Sequence, residues 1–190
     1  MALPSIGKNI FGVWKPKKEK WLKPSREPTA TEGREIIKSA RKIAAKHHPE
    51  IADTPVQVTF GEIPDPRAKE AYAIVTLSDM AEVTRIDVTI EPKYKRYPDV
   101  IKALLVHEIT EAAETANRHK KEFGAWDAEG NFLGIKYRLP EKYRKQRGHP
   151  PLISIEHPEV HEKAVKTQRQ YENGLPSREE IAKVGEHWSG

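Results

Sequence analysis

The run RIDVTIEPKYKRYPDVIKALLVHEITEAAETANR, Arg85 to Arg118, changes its hydrophobic period once, and that change decides the fold. Up to Ile90 the apolar residues alternate. Ile86, Val88 and Ile90 fall on one side and Asp87, Thr89 and Glu91 on the other, the period-two pattern of a strand with one buried and one wet face. That pattern suits an antiparallel or edge strand. Beyond Pro98, a residue pre-organised for the first turn of a helix, the period lengthens. Val100, Ile101, Leu104, Leu105, Ile109, Ala112, Ala113 and Ala116 then recur at helical intervals and form a broad apolar face, so a helix is expected from Asp99 to about Arg118.

Working outward, two further runs rich in β-branched residues precede this unit and are bounded by Pro, Gly or Asp: VQVTF, Val56 to Phe60, and AYAIVTLS, Ala71 to Ser78. Upstream again, Thr29 and Glu32 have capping-box spacing. Ile36, Ile37, Ala40, Ile43 and Ala44 follow at helical intervals as far as His47, where Pro49 ends the element. Downstream, AWDAEGNFLGIKY reads as a hairpin turned at Glu129 to Asn131. Pro158 to about Tyr171 reads as a helix, and Ser177 with Glu180 caps a short last one. The expected class is α+β: a small mixed sheet of three to four strands packed on a supporting helix and on the helix that carries HEITE. The expected organisation is a basic, proline-rich arm over residues 1–28, one domain over 29–171 and a C-terminal tail with a short helix over 172–190, with no internal repeat.

Composition narrows the chemistry. The 190 residues include no cysteine, which excludes disulfide frameworks, cysteine zinc modules and thiol nucleophiles; any metal must be held by His, Asp or Glu. There is no continuous apolar run of signal-peptide or membrane-spanning character, so a soluble, cytoplasmic protein without membrane contact is expected. A net charge of +5 is compatible with acidic partners and equally with ordinary solubility.

The long helix carries LLVHEITEAAE, the outline of H-E-x-x-H with Glu111 in the place of the second histidine. Residues four apart on a helix share a face about one turn apart, so His107 and Glu111 can reach one ion. Glu108, about 100° round, takes the position from which a general base addresses water. A carboxylate is an accepted zinc ligand at roughly 2.0–2.2 Å, so the exchange keeps a feasible and more anionic site. Glu114, seven residues after His107, is a candidate further ligand or an acceptor that orients an imidazole. A charged, solvated helix face with one histidine produces the same pattern. Zinc is the first expectation, and a His and carboxylate set also admits iron or manganese.

A third ligand is offered by IEHPEVHEKA, where His157 and His161 flank the entry of the third helix. His161 is preferred because it lies inside the helix; His157 stands at its entry, where a solvent-facing role is the alternative. His119 and His149 are weaker candidates. His47 and His48 are read as partners of the dipole at the end of the first helix, and His187 as tail.

The order of elements, a supporting helix, strands VQVTF, AYAIVTLS and RIDVTIEP, then the HEITE helix, resembles the minimal zincin fold from about Thr29 to Arg118. HEITEAAE followed by HPEVHEKA is similar to small phage-associated and mobile-element proteins described only as metallopeptidase-like, which carry an H-E-x-x-E helix and a later H-x-x-A helix. The resemblance implies His107, Glu111 and His161 as ligands and Glu108 as catalytic base. It further implies a protein or peptide substrate held against the sheet edge, for which RIDVTIEP is the expected strand. Tyr137, Tyr143 and Arg144 are positioned in the chain to assist an oxyanion.

A rival expectation comes from two basic segments. The arm VWKPKKEKWLK, with Lys15, Lys17 and Lys18 between Trp14 and Trp21, and the loop KYRLPEKYRKQRG, with Arg144, Lys145 and Arg147, combine cations with aromatics as nucleic-acid contacts do. On that reading the protein is a basic accessory with a structural or vestigial metal site.

Overall fold

The computed structural model describes residues 23–66, 68–135, 158–170 and 175–186. Helix α1 spans Ala30–Ala44, and strands β1, β2 and β3 span Val56–Phe60, Ala71–Leu77 and Val83–Ile90. Helix α2 spans Pro98–Phe123; the hairpin strands β4 and β5 span Gly124–Trp126 and Phe132–Ile135; helices α3 and α4 span Pro158–Gln170 and Arg178–Glu186. The chain is α+β, with a three-stranded mixed sheet and a separate two-stranded ribbon.

Strand β3 is the middle strand, in the order β1-β3-β2. It pairs in parallel with β1, Val56 opposite Ile86 and Phe60 opposite Ile90, and antiparallel with β2, Ala71 opposite Ile90 and Ile74 opposite Asp87. The alternation read from the sequence holds, since Ile86, Val88 and Ile90 are buried. Of the antiparallel or edge placement expected for this strand, the antiparallel pairing holds, with β2, and the edge does not, because both of its backbone rows are occupied. Alternation reports how the two faces are used and carries no information on which neighbours lie beside the strand. The outward face is polar, with Arg85 donating to Asp87 at 2.8 Å and to Gln57 at 2.7 Å, and Thr59 paired with Thr89 at 3.3 Å.

Helix α2 is the axis of the core. From Val100 to Ala116 its buried residues lie on nearly every side, and it packs against α1, β2, β3 and α3. Such all-round burial marks a helix enclosed by other elements. Helix α1 begins with the expected box: the Thr29 hydroxyl accepts from Glu32 N–H at 3.3 Å, and Glu32 Oε2 accepts from Thr29 N–H at 2.8 Å. Replacing Thr29 by alanine removes one of these two contacts. Urea unfolding is expected to show a loss of about 1 kcal/mol with an unchanged slope.

The C-terminal helix is part of this core. Leu175, Ile181 and Val184 are buried in the same cluster as Tyr94, Leu105 and Ile109, and α4 packs beside the short turn Pro92–Tyr94. The sequence reads this segment as a tail with a short helix; the helix is there, and Leu175, Ile181 and Val184, too few to give a firm amphipathic signal, are enough to fill a gap beside Tyr94. The arm is tied down at its described end, where Ser25 N–H donates to Arg96 C=O and Arg96 Nε donates to Ser25 C=O, both at 2.8 Å. Among the described residues no helix is long and apolar enough to cross a membrane.

Candidate metal centre

The middle of α2 presents His107, Glu108 and Glu111 on the side where α3 and α4 converge. Helix α3 packs along α2 and brings in His161, fifty residues downstream of Glu111. Glu111 lies between the two imidazoles, its Oε2 3.1 Å from His107 Nε2 and 3.3 Å from His161 Nδ1. The rings meet edge to face at a centroid distance of 5.0 Å. One nitrogen or oxygen from each of the three residues lies within 4.8 Å of the others, the separation a group able to hold one metal ion requires. Ligands at roughly 2.0–2.2 Å around a tetrahedral ion sit about 3.3 Å apart, so two of the three edges already have that length.

Burial gives a second test of fit. His107 is 4 % exposed, and burial holds its imidazole below the ordinary value, so the ring is neutral, the form in which imidazole ligates metals. Its Nδ1 is enclosed and has no hydrogen-bond partner among the described residues. A buried ring with an orphaned nitrogen costs about 1–3 kcal/mol. Its polar side thus serves the cluster with Glu111, and the packing around it supplies no local compensation.

Glu108 lies beside the pair and is half-buried. Burial chiefly, then the charge of Glu111 and, more weakly, of Glu70, pushes its carboxyl up to about 8; Arg178 acts in the opposite direction. A carboxyl poised there accepts and returns a proton near neutral pH, which is what a general base and acid must do.

Glu114, the candidate further ligand, belongs to a different cluster one turn along. It accepts from Lys163 Nζ at 2.9 Å and faces His48 Nε2 at 3.4 Å, while His48 Nδ1 faces Glu50 at 3.4 Å and Asn117 donates to Glu50 at 3.3 Å. Glu114 therefore ties α3 to α2 two residues from His161 and holds that histidine in place. His48 is buried between two carboxylates and is no mere partner of a helix dipole. His119 lies against Phe123, the tilted rings 4.9 Å apart, and is not part of the three-residue ligand group found among the described residues. His157, His149, Tyr137, Tyr143, Arg144, Lys145, Arg147, Lys15, Lys17 and Lys18 lie outside the described residues.

Sequence reasoning missed Arg178 and Glu70. Arg178 opens α4 and its Nη1 donates to His161 Nε2 at 3.0 Å. Glu70 stands at the entrance of β2 with φ 29°, in the left-handed region where a non-glycine residue is strained, and its carbonyl accepts from Glu91 N–H at 3.0 Å. Neither has a local signal, because each reaches the site through packing of a segment distant in the chain. Compared with protein-family models, curated proteins and solved structures, the chain finds no match, and the functional reading rests on this geometry.

Proposed function

We propose that the protein is a zinc-dependent metallopeptidase of zincin-like construction, with His107, Glu111 and His161 as ligands and Glu108 as general base and acid. The observation that carries the reading is the convergence of three ligand atoms within 4.8 Å from two separate helices, next to a carboxyl raised to about 8. A divalent ion so held would acidify water and polarise a peptide carbonyl. The chain's own part is proton traffic: the Glu108 carboxylate takes a proton from water and its carboxylic acid returns it to the leaving amine. Glu111, between the imidazoles of His107 and His161, offsets positive charge there.

The order β1-β3-β2 supports a specific place for substrate. Strand β2 is an edge strand of the three-stranded sheet, antiparallel to β3 and packed against α2, and among the described residues no further strand pairs with it. An extended peptide would add to this edge by main-chain hydrogen bonds. This moves the substrate strand from RIDVTIEP, which lies in the middle of the sheet, to AYAIVTL. Metal analysis of the purified protein, paired with peptide hydrolysis measured with and without chelator, tests the reading. One zinc per chain with chelator-sensitive cleavage supports it; a metal-free protein that zinc does not bind overturns it.

A further inference from the structure

His161 is engaged on both ring nitrogens. Nδ1 faces Glu111 Oε2 at 3.3 Å and Nε2 receives a hydrogen bond from Arg178 at 3.0 Å. A guanidinium only donates, so Nε2 is the acceptor, and the ring proton sits on Nδ1, directed at Glu111. This arrangement and cation ligation by His161 exclude each other. A cation at Nε2 takes the lone pair that Arg178 uses. A cation at Nδ1 displaces the proton, which a neutral ring then carries on Nε2, setting N–H against N–H.

The partner is also a poor one for arginine. A planar fork with five donors is matched to a carboxylate or phosphate, and among the described residues its side-chain hydrogen bond goes to an imidazole nitrogen. The nearby lysine is committed elsewhere, since Lys163 is held by Glu114 at 2.9 Å. Arg178 is exposed, and it stands at the first residue of a helix whose buried side chains, Ile181 and Val184, fix the backbone. Its head group can therefore turn without moving its anchor. With a divalent ion in place, the ion and Arg178 bring three positive charges beside Glu108 and Glu111, which together supply at most two negative ones, an excess that favours an anionic ligand.

We propose that Arg178 is the anion anchor of this site: it competes with the cation for His161 and, once the cation holds the imidazole, turns to bind a carboxylate of the ligand. The inference rests on the metal reading above and adds a substrate class to it, peptides that present a carboxylate near the ion, either the free C-terminus or an acidic side chain.

The test compares wild type with Arg178→Ala and Arg178→Lys. Zinc affinity is measured by competition with a chromogenic chelator, and circular dichroism checks the fold. The zinc-loaded proteins are then titrated calorimetrically with three acetylated tripeptides: one with a free C-terminus, its amide, and an amide with a central glutamate. In Arg178→Ala, zinc is expected to bind about tenfold more tightly, because a competing hydrogen bond and a like charge are removed. The carboxylate-bearing peptide is expected to bind about tenfold or more weakly, with lysine intermediate because it keeps the charge and lacks the fork. Loss confined to the free acid assigns the anchor to the C-terminus, and loss confined to the glutamate peptide assigns it to a side chain. Zinc affinity in Arg178→Ala within about twofold of wild type, or equal binding of every peptide by both proteins, overturns the role of Arg178 alone. Failure of wild type and variants alike to bind zinc overturns the metal reading with it.

Discussion

Replacing Glu111 by alanine is expected to lower zinc affinity by about a thousandfold or more while the protein stays folded. Loss of a group that merely orients a ligand costs roughly 10–100-fold in affinity, and Glu111 is placed to be a ligand and the bridge between the other two. Its Oε2 contacts His107 Nε2 at 3.1 Å and His161 Nδ1 at 3.3 Å. Without it, two imidazoles from different helices remain and the anionic member of the ligand set is gone. The fold should tolerate the change, because the side chain is half-buried and alanine is the strongest helix former. His107→Ala is a less clean probe, since it also empties a buried position in the central helix. Chelator competition gives the affinity and far-ultraviolet circular dichroism the fold. An alanine variant that binds zinc as tightly as wild type would remove the ligand set from consideration.

Glu108→Gln is expected to separate binding from chemistry. The amide keeps the shape of the protonated carboxyl and cannot take a proton from water, so peptide hydrolysis should fall by a factor of about 10²–10⁴ at unchanged zinc content. Equal cleavage by the two proteins would end the case for Glu108 as base. Stability supplies a second readout, measured with chelator present. The native carboxyl titrates near 8 against its ordinary 4.5, so between those values the folded chain keeps a proton that the unfolded chain has released. The unfolded state then binds fewer protons, and stability declines as pH rises from about 4.5 through about 8. The glutamine variant lacks this contribution, and its denaturation midpoint should fall less across the same window.

How much of this was legible in the chain follows from the range of the forces involved. The three strands, the capped first helix and the HEITE helix are written in periods of two and 3.6 residues, and each depends on neighbours within a few positions. The pairing of His107 with Glu111 is of the same kind, a consequence of one helical turn. His161 was reached by chemistry, because a three-ligand site demanded a further histidine and few positions could supply it. Glu114 shows where such reasoning stops. Its place on the stripe is right, but Lys163 and His48 compete for its oxygens, and neither competitor is near it in sequence.

Local periodicity thus determined the elements and put His107, Glu108 and Glu111 on one side of one helix. Tertiary structure alone decided that β3 lies inside the sheet and β2 at its edge, that α4 fills the core, and that Arg178 stands on His161. Alternation along a strand reports its faces and never its neighbours. The placing of α4 depends on the space left beside Tyr94, on a surface assembled from residues some ninety positions away.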